Sequence, residues 1–470
     1  MAVSDSKIPV ALTIAGSDSG GGAGVQADLK TFAAAGVHGA SCLTAITAQN
    51  TLKVASIHNI PTNIIEDQIR VVAEDLGVNA AKTGMLHTPE VIEKVAELVT
   101  EFGFPLVVDP VMVAKSGAPL LREDSVEILK HKLLPMATLV TPNIPEAEKL
   151  SGIAISDERD MRKAATRILD LGCRGVVVKG GHLTGEAVDL LLWDGATHTF
   201  RRPRIEVSHD HGTGCSFSAA ITAEIAKGSP VVEAVSRAKE LVYLAVKFGF
   251  AVGHGHGPVN PVAGLHLKAE KISVIEKLME AYAELQEIEP RRVVPEVGMN
   301  IAYALPKPDC RSEVAAFASR IISDGARYLL PACPMFGKSS HLASYLVGVG
   351  SKFPHIRAAV NIRFDDRTLR EAEKASFRIS SYDRRSEPED IKRIEGASIP
   401  WGVSQALSRS VDCPDIIYHT GDVGKEPMIV VLARDPVEAV RKIRRIVESG
   451  AWAREPIETR TDRCPKISHT

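Results

Sequence analysis

The sequence predicts an α/β protein: an N-terminal doubly wound sheet with helices on both faces, followed by a C-terminal α/β domain. Up to about residue 265, short apolar segments alternate with segments of helical periodicity, which is typical of parallel strands connected by helices. The predicted strands are 10–15, 78–83, 105–109, 137–141 and 174–178, and the predicted helices are 62–76, 89–101, 123–133, 157–171, 214–227 and 230–248. Ligands of such a fold bind beyond the carboxyl ends of the strands.

A glycine-rich loop follows the first predicted strand. Residues 10–14 are short and apolar, residues 15–24 contain glycine at positions 16, 20, 21, 22 and 24, and a helix is predicted from Val25. A strand, a glycine-rich loop and a helix form the usual layout of a phosphate or nucleotide site. The glycine spacing fits neither the dinucleotide fingerprint nor the Walker A loop, so this loop is a weak signal by itself.

A second glycine-rich segment, His211-Gly-Thr-Gly-Cys215, precedes the helix predicted from residue 214. Its backbone N–H groups and the positive end of that helix predict a pocket for the charge of a phosphoryl group in transfer. Cys215 lies in the first helical turn, where we expect the thiol pKa to fall below its usual value of about 8.5, so that Cys215 acts as a base. An ordinary helix start with a buried cysteine has the same residues.

Length and composition predict two domains and a linker: residues 1–265, a helical linker over 266–294 that is rich in Glu, Lys, Leu and Ala, and residues 295–470. The net charge of −2 predicts no binding to nucleic acid, and the absence of a long apolar run predicts no membrane partner. Seven scattered cysteines predict a cytoplasmic protein with reduced thiols. The composition leaves a homo-oligomer open.

Seven collinear segments between about residues 8 and 260 resemble the hydroxymethylpyrimidine/hydroxymethylpyrimidine-phosphate kinase family, which has a ribokinase-like fold. These segments are Leu12–Phe32, Thr44–Thr51, Lys82–Leu86, Val108–Gly117, Val140–Leu150, Lys179–Leu183 and His211–Ile221. The resemblance implies ATP-dependent phosphorylation of 4-amino-5-hydroxymethyl-2-methylpyrimidine and its monophosphate, with Mg²⁺ as cofactor.

The resemblance also implies roles for individual residues. Cys215 would take the proton from the substrate's hydroxymethyl group, and the pyrimidine would be bound by Gly16, Asp28, Gln49 and Met85. ATP and the transferring phosphate would be bound by Lys179, Asn143, Gly212, Thr213 and Gly214, and the metal would be organised by Glu146 and Asp109. Two alternatives stay open: Asp28 as a solvated carboxylate in the first turn of a helix, and Asn143 with Glu146 as a helix cap.

Residues 296–450 resemble the archaeal-type thiamine-phosphate synthase domain. The similar segments are 297–303, 319–321, 336–341, 357–362, 383–388, 401–402 and 421–427. The resemblance implies coupling of the pyrimidine diphosphate to thiazole phosphate, dependent on Arg320 and His341. It gives secondary roles at phosphate and magnesium to Arg384, Arg385, Lys425 and Glu426. The pattern alone favours a surface arginine on a helix over 311–322 and a histidine on a helix surface.

The sequence therefore predicts a bifunctional enzyme of thiamine biosynthesis whose partners are small-molecule substrates. One alternative keeps the kinase and makes the C-terminal domain a non-catalytic sensor of thiamine phosphate. Another alternative is that the N-terminal domain is a pyridoxal or sugar kinase. The presence of Cys215 and Gln49 argues against this alternative.

Overall fold

The computed structural model of the protein describes residues 7–181, 185–329, 331–408, 410–422 and 426–449. The chain divides into two compact units, residues 1–266 and 267–470, each built on its own large sheet. Within the described ranges, no helix is both long and apolar enough to cross a membrane.

The sheet of the first unit has the strand order β3-β2-β1-β4-β5-β6-β7-β8-β9. The six strands from β2 to β7 in this order run parallel, and β3, β8 and β9 pair antiparallel at the two edges. The strands are β1 (Val10–Asp18), β2 (His38–Gln49), β3 (Val54–Asn59), β4 (Ala80–Thr83), β5 (Leu106–Val108), β6 (Leu139–Val140), β7 (Gly175–Lys179), β8 (Ala187–Trp193) and β9 (Ala196–Arg202).

Helices cover both faces of this sheet, so the predicted doubly wound fold is confirmed. One face packs against α2 (Thr62–Asp75), α3 (Pro89–Phe102), α4 (Glu123–Ile128), α5 (Ile144–Ser151) and α6 (Glu158–Leu169). The other face packs against α1 (Gly24–Ala35), α7 (Thr213–Ala226) and α8 (Val231–Lys247). Neighbouring strand residues face opposite cores, as Val107 and Val108 do in β5, which explains the continuous apolar sequence of the central strands.

The sheet of the second unit has the order β14-β11-β10-β15-β18-β17-β16 and is antiparallel except for the pair β16–β17. Its strands are β10 (Ile301–Ala304), β11 (Val314–Phe317), β14 (Pro334–Phe336), β15 (Ala358–Ile362), β16 (Ile379–Ser381), β17 (Ile416–His419) and β18 (Met428–Ala433), beside the small pair β12 (Ile322–Ser323) and β13 (Tyr328–Leu329). The helices are α9 (Ala263–Leu285), α10 (Pro290–Val293), α11 (Ser340–Lys352), α12 (Asp366–Lys374), α13 (Glu389–Lys392), α14 (Ser398–Ser408) and α15 (Pro436–Ser449).

Two sequence-based expectations for this region differ from the structure. The segment expected as a linker buries apolar side chains, among them Leu278 and Leu285 of α9, in the core of the second unit together with β10, β11 and β15. The helix predicted over 311–322 is wrong: residues 311–313 form a single 3₁₀ turn, and Val314–Phe317 are a buried strand between β10 and β14. Four consecutive buried apolar residues suit a strand that is covered on both faces.

Candidate active sites

A cleft of about 900 Å³ lies at the carboxyl ends of the parallel strands of the first unit. The cleft runs across the strands, so the order of the strands in the sheet defines its two ends. Gly16, Gln49 and Met85 line the end near β1, β2 and β4, whereas Asp189, Arg204 and Tyr243 line the end near β7, β8 and β9. Asp109, Glu146 and the segment 212–215 line the middle. One cleft therefore has room for two ligands, with residues 212–215 between them.

Asp18, the last residue of β1, organises the first glycine-rich loop. Its carboxylate accepts backbone N–H bonds from Gly20 (2.9 Å), Gly22 (3.0 Å) and Ala23 (2.8 Å). Burial opposes ionisation of this carboxyl group, but the bond from His211 and these backbone donors outweigh it and lower the pKa of Asp18. Asp18 is therefore negatively charged, and its hydrogen bonds stabilise the conformation of the glycine-rich loop.

The two glycine-rich segments touch each other. His211 Nε2 lies 3.2 Å from Asp18 Oδ2, and a Cβ atom on Gly212 would lie 1.9 Å from the carbonyl oxygen of Gly22. Gly212 also has φ +84°, which favours glycine. Two separate sequence signals thus form one structure, in which only glycine fits at the contact.

Three of the four residues predicted to bind the pyrimidine line the cleft. Gly16 lies in β1, and a side chain there would approach the sulfur of Met85 to 3.1 Å. Gln49 ends β2; its side chain contacts the hydroxyl of Thr47 (3.2 Å), and its Nε2 lies 3.3 Å from Nε2 of His211. This end of the cleft therefore combines the apolar side chain of Met85 with the amide of Gln49, which suits a polar aromatic ring.

Asp28, the fourth predicted pyrimidine ligand, does not line the cleft. The residue is fully buried in α1, where both carboxylate oxygens accept from Nζ of Lys82 at 3.0 Å and Oδ2 also accepts from the hydroxyl of Thr13 at 2.6 Å. The structure thus corrects the expectation of direct contact with the pyrimidine and excludes a solvated carboxylate. Asp28 holds Lys82, and Lys82 itself lines the cleft.

Asp109 and Lys179 form a buried ion pair in the middle of the cleft. Lys179 Nζ donates to Asp109 Oδ1 at 3.0 Å, and the hydroxyls of Thr141 (3.3 Å) and Ser218 (3.2 Å) also contact the carboxylate. Burial opposes ionisation, but Lys179 and Lys82 outweigh it and lower the pKa of Asp109. A lysine held beside the 212–215 segment places a positive charge where a phosphoryl group would pass.

Asn143 and Glu146 form a reciprocal capping box at the start of α5. Asn143 Oδ1 accepts from the N–H of Glu146 at 2.9 Å, and Glu146 Oε2 accepts from the N–H of Asn143 at 2.8 Å. The helix-cap alternative is therefore confirmed, and both residues also line the cleft. Burial raises the pKa of Glu146 to about 7, with Lys179 acting in the opposite direction and Asp109 adding to the rise.

Cys215 lies in the first turn of α7, as predicted, but the expected direction of its pKa shift is wrong. Burial raises the pKa of the thiol to about 12; the positive charge of Lys82 opposes this rise, and Asp28 and Asp109 add to it. The backbone N–H groups of the helix start cannot compensate for two nearby carboxylates and the loss of water. The thiol is therefore protonated at neutral pH.

Asp18, Lys82 and His211 are among the cleft residues that sequence reasoning did not single out. All three lie inside segments that carried the family resemblance, and a local signal existed for Asp18, which directly precedes the glycines. For Lys82 and His211 the partners lie 54 and 193 residues away in the chain, so no local pattern identifies them.

In the second unit, the strand register places three of the segments that carried the second resemblance, 297–303, 319–321 and 383–388, at one end of the sheet. Pairing of Phe317 with Pro334, Ile301 with Val360, and His419 with Met428 places the ends of β11, β15 and β17 beside the starts of β10, β14 and β18. Because β16 and β17 are parallel, Tyr382 and Arg384 follow β16 at this same end.

A cluster of polar aromatic residues surrounds His419 at this end. The rings of His341 and Tyr345 lie 5.5 Å apart, the hydroxyls of Tyr345 and Tyr382 share a hydrogen bond of 2.9 Å, and the ring of Tyr382 lies 5.2 Å from that of His419. Trp401 packs edge-on against Tyr382 at 6.2 Å. Arg384 is also buried here.

The other predicted residues of this unit are placed as follows. Arg320 is exposed after β11, and its guanidinium donates to the carbonyl of Val297. Arg385 is exposed and bonded to Asp383 at 2.9 Å, and Glu426 is exposed. Lys425 lies outside the described residues. The structure therefore brings His341 and Arg384 into one cluster.

Models of two protein families match the chain. Residues 18–260 match Phosphomethylpyrimidine kinase, and residues 277–445 match Thiamine-phosphate synthase ThiN. The hydroxymethylpyrimidine/phosphomethylpyrimidine kinase of Haemophilus influenzae is 49% identical over 261 residues, which cover 54% of this chain and 97% of that protein. The thiamine biosynthesis bifunctional protein ThiED of Geobacter sulfurreducens is 51% identical over 253 residues, 53% of this chain and 52% of that protein.

Among solved structures, the ADP complex of Bacillus subtilis pyridoxal kinase is similar with a TM-score of 0.52 and 41% identity, covering 55% of this chain and 99% of that one. The match supports the ribokinase-like fold of the first unit. This chain spans about half the length of the Geobacter relative. The chain belongs to the phosphomethylpyrimidine kinase family, and it is an enzyme with a kinase domain followed by a thiamine-phosphate synthase domain.

Proposed function

We propose that the first unit phosphorylates 4-amino-5-hydroxymethyl-2-methylpyrimidine and its monophosphate with ATP, and that the second unit couples the diphosphate to thiazole phosphate, releasing pyrophosphate. The observation that carries the first half is the single cleft with two ends and the 212–215 segment between them. A phosphoryl group can pass from a nucleotide at the β7–β9 end to an acceptor at the β1–β4 end without leaving this cleft.

In this proposal the pyrimidine lies between Gly16, Met85 and Gln49, and the Gln49 amide forms hydrogen bonds with the ring. The backbone N–H groups of residues 212–215 and the Lys179 ammonium stabilise the charge on the transferring group. Because burial keeps the Cys215 thiol protonated at neutral pH, the thiol first loses its proton to water in the cleft, and the thiolate then takes the proton of the substrate's hydroxymethyl group. Lys82, whose charge lowers the thiol pKa, favours that loss.

The residues in the middle of the cleft fit a magnesium–phosphate site. Glu146 is a buried carboxyl group whose pKa is raised to about 7, so a divalent cation nearby would stabilise its charged form. No group of three or more His, Cys, Asp or Glu within the described ranges is arranged to hold a metal. We therefore propose that Glu146 and Asp109 hold Mg²⁺ through water, with ATP phosphates completing its coordination.

The decisive experiment supplies the purified chain with hydroxymethylpyrimidine, ATP, Mg²⁺ and thiazole phosphate and measures thiamine phosphate. Formation that stops when ATP is omitted, and resumes when pyrimidine diphosphate is supplied instead, supports both halves. If the chain makes pyrimidine diphosphate and binds thiamine phosphate but never forms it, the second unit is a sensor.

Similarity to a pyridoxal kinase structure favours pyridoxal as a second candidate substrate of the first unit. Gln49→Ala tests the pyrimidine site, because loss of the amide leaves polar groups of the pyrimidine unpaired. The variant should bind pyrimidine much more weakly while its affinity for ATP is unchanged. A kcat/KM for pyridoxal above that for hydroxymethylpyrimidine in the unmodified chain would contradict the proposal.

A further inference from the structure

His419 lies at the centre of the polar cluster of the second unit, and neither the family resemblance nor the comparisons assign it a role. Its side chain is 1% exposed at the end of β17. Such a histidine in a protein core normally has both ring nitrogens hydrogen-bonded, because a buried polar atom without a partner destabilises the folded state.

One ring nitrogen of His419 has a partner and the other has none. The N–H of Gly421 donates to Nδ1 at 3.2 Å, so Nδ1 holds the lone pair. Burial, Arg384 and His341 lower the pKa of His419 to about 3, so the ring is neutral. A neutral ring with its lone pair on Nδ1 has its proton on Nε2. Nε2 has no hydrogen-bond partner among the described residues, and it is therefore an unused donor.

Arg384 supplies a second unused group beside this donor. It is 6% exposed in the 3₁₀ turn after β16, and no carboxylate within the described ranges forms an ion pair with it. Arginine is almost never buried unless it is paired, since an uncompensated buried charge is costly. The neighbouring Arg385 shows the ordinary situation, being exposed and bonded to Asp383 at 2.9 Å.

We infer that His419 is a substrate-binding residue of the second unit, and that it donates its Nε2–H to a phosphate oxygen held by the Arg384 guanidinium. A neutral N–H donor and a buried cation that no described carboxylate pairs with together suit a phosphate or pyrophosphate group, whose oxygens accept from both. The sheet supports this pairing, because β16 and β17 are parallel and both residues follow or end these strands at the same end. The inference rests on the proposed synthase function only for the choice of a phosphorylated substrate.

The test compares Arg384→Met, His419→Leu and a control variant, Arg434→Met, in the full-length chain, titrated with inorganic pyrophosphate by calorimetry. Arg434 is exposed and pairs with Glu438 at 3.0 Å. Any pyrophosphate that binds in the first unit contributes equally to every titration, so differences between variants report on the second unit. Arg384→Met and His419→Leu should each weaken this binding at least tenfold, whereas Arg434→Met should leave it unchanged. Unchanged affinity in folded His419→Leu protein would overturn the inference.

A second measurement covers the case in which His419→Leu does not fold. In the unmodified chain, the ¹⁵N resonance of His419 Nε2 should shift when pyrophosphate is added, and a resonance that does not move overturns the inference. The assay for thiamine phosphate separates this result from the proposed function. Loss of pyrophosphate binding in the variants, with no thiamine phosphate from the unmodified chain, supports the inference and contradicts the synthase proposal.

Discussion

His211 Nε2 lies 3.2 Å from Asp18 Oδ2, and this contact joins the loop that follows the first strand to the segment that starts α7. The same nitrogen lies 3.3 Å from Gln49 Nε2. In a neutral ring, Nε2 either donates to the carboxylate or accepts from the amide, but it cannot do both. His211 therefore connects Gln49, at the end of the cleft near β1, β2 and β4, with the 212–215 segment.

We predict that His211→Ala lowers kcat of the kinase about 10–100-fold, because loss of a buried hydrogen-bond partner costs about 1–3 kcal/mol and releases the 212–215 segment. Steady-state kinetics should show a smaller change in KM for ATP than in kcat. His131→Ala, which replaces an exposed histidine paired with Glu127, is the matched control. Equal kinetics in the two variants would mean that the contact with Asp18 does not position the segment.

The second prediction concerns the Cys215 thiol. Cys215→Ala should lower phosphoryl transfer by about 10²–10⁴-fold, the usual contribution of a positioned general base. With its pKa raised to about 12, the thiol should also react with iodoacetamide at pH 8 more slowly than the exposed Cys310 and Cys333. Mass spectrometry after brief labelling measures this order. Near-normal turnover of Cys215→Ala would mean that the thiol is not the base and that residue 215 contributes only its backbone N–H.

The sequence predicts the architecture of the first unit well because its central strands are buried on both faces. β5, β6 and β7 are short and mostly apolar, and the predicted ranges for these strands and for β4 lie close to the observed ones. β2 has no such run, since Ser41, Thr44 and Thr47 interrupt its apolar residues. Strand order in the second unit has no sequence signal of this kind, because antiparallel pairing depends on contacts distant in the chain.

The candidate site is predicted in position but not in its electrostatics. Glycine-rich loops have a local cause, namely the backbone conformations that they allow, so residues 212–215 were found from the sequence. The pKa of Cys215 depends on its burial and on Lys82, Asp28 and Asp109, which three other elements supply. The sequence predicts contact between Asp28 and the substrate for the same reason, because the true partner of Asp28, Lys82, lies 54 residues away in the chain.

The third prediction tests the role of Asp28. Asp28→Asn should destabilise the first unit by about 3–5 kcal/mol, because it leaves the Lys82 ammonium buried without its counter-charge. Thr13→Val, which removes one hydrogen bond to the same carboxylate, should cost only about 1 kcal/mol. Chemical denaturation measures both, and the transition that shifts with ADP marks the first unit. Unchanged stability with a raised KM for the pyrimidine would restore Asp28 as a direct ligand.

The fourth prediction concerns Glu146 and pH. Its pKa is raised from 4.5 to about 7 in the folded protein, so between these values the folded state keeps a proton that the unfolded state has lost. The contribution of Glu146 to the free energy of unfolding should therefore fall as pH rises from about 4.5 to 7, by up to about 3 kcal/mol. Glu146→Gln lacks this titration and keeps an oxygen for the helix cap. Without Mg²⁺, its stability relative to the unmodified chain should rise over this pH range and be constant above it; a pH-independent difference would contradict the assignment.

The last prediction separates the two units. Arg320→Ala and His341→Ala should each strongly reduce formation of thiamine phosphate from supplied pyrimidine diphosphate, while kinase activity persists. Every described residue that lines the kinase cleft belongs to the first unit, so we expect changes in the second unit to leave kinase activity intact. His341 packs against Tyr345 in the polar cluster, and Arg320 follows β11 at the same end of the sheet. Removing an arginine that faces a departing pyrophosphate should cost about 2–4 kcal/mol of transition-state stabilisation, as for other lost oxyanion donors.

Arg327→Ala, an exposed arginine paired with Asp324, is the matched control. Parallel loss of both activities in Arg320→Ala or His341→Ala would indicate misfolding, whereas full synthase activity in both variants would exclude these residues from the reaction.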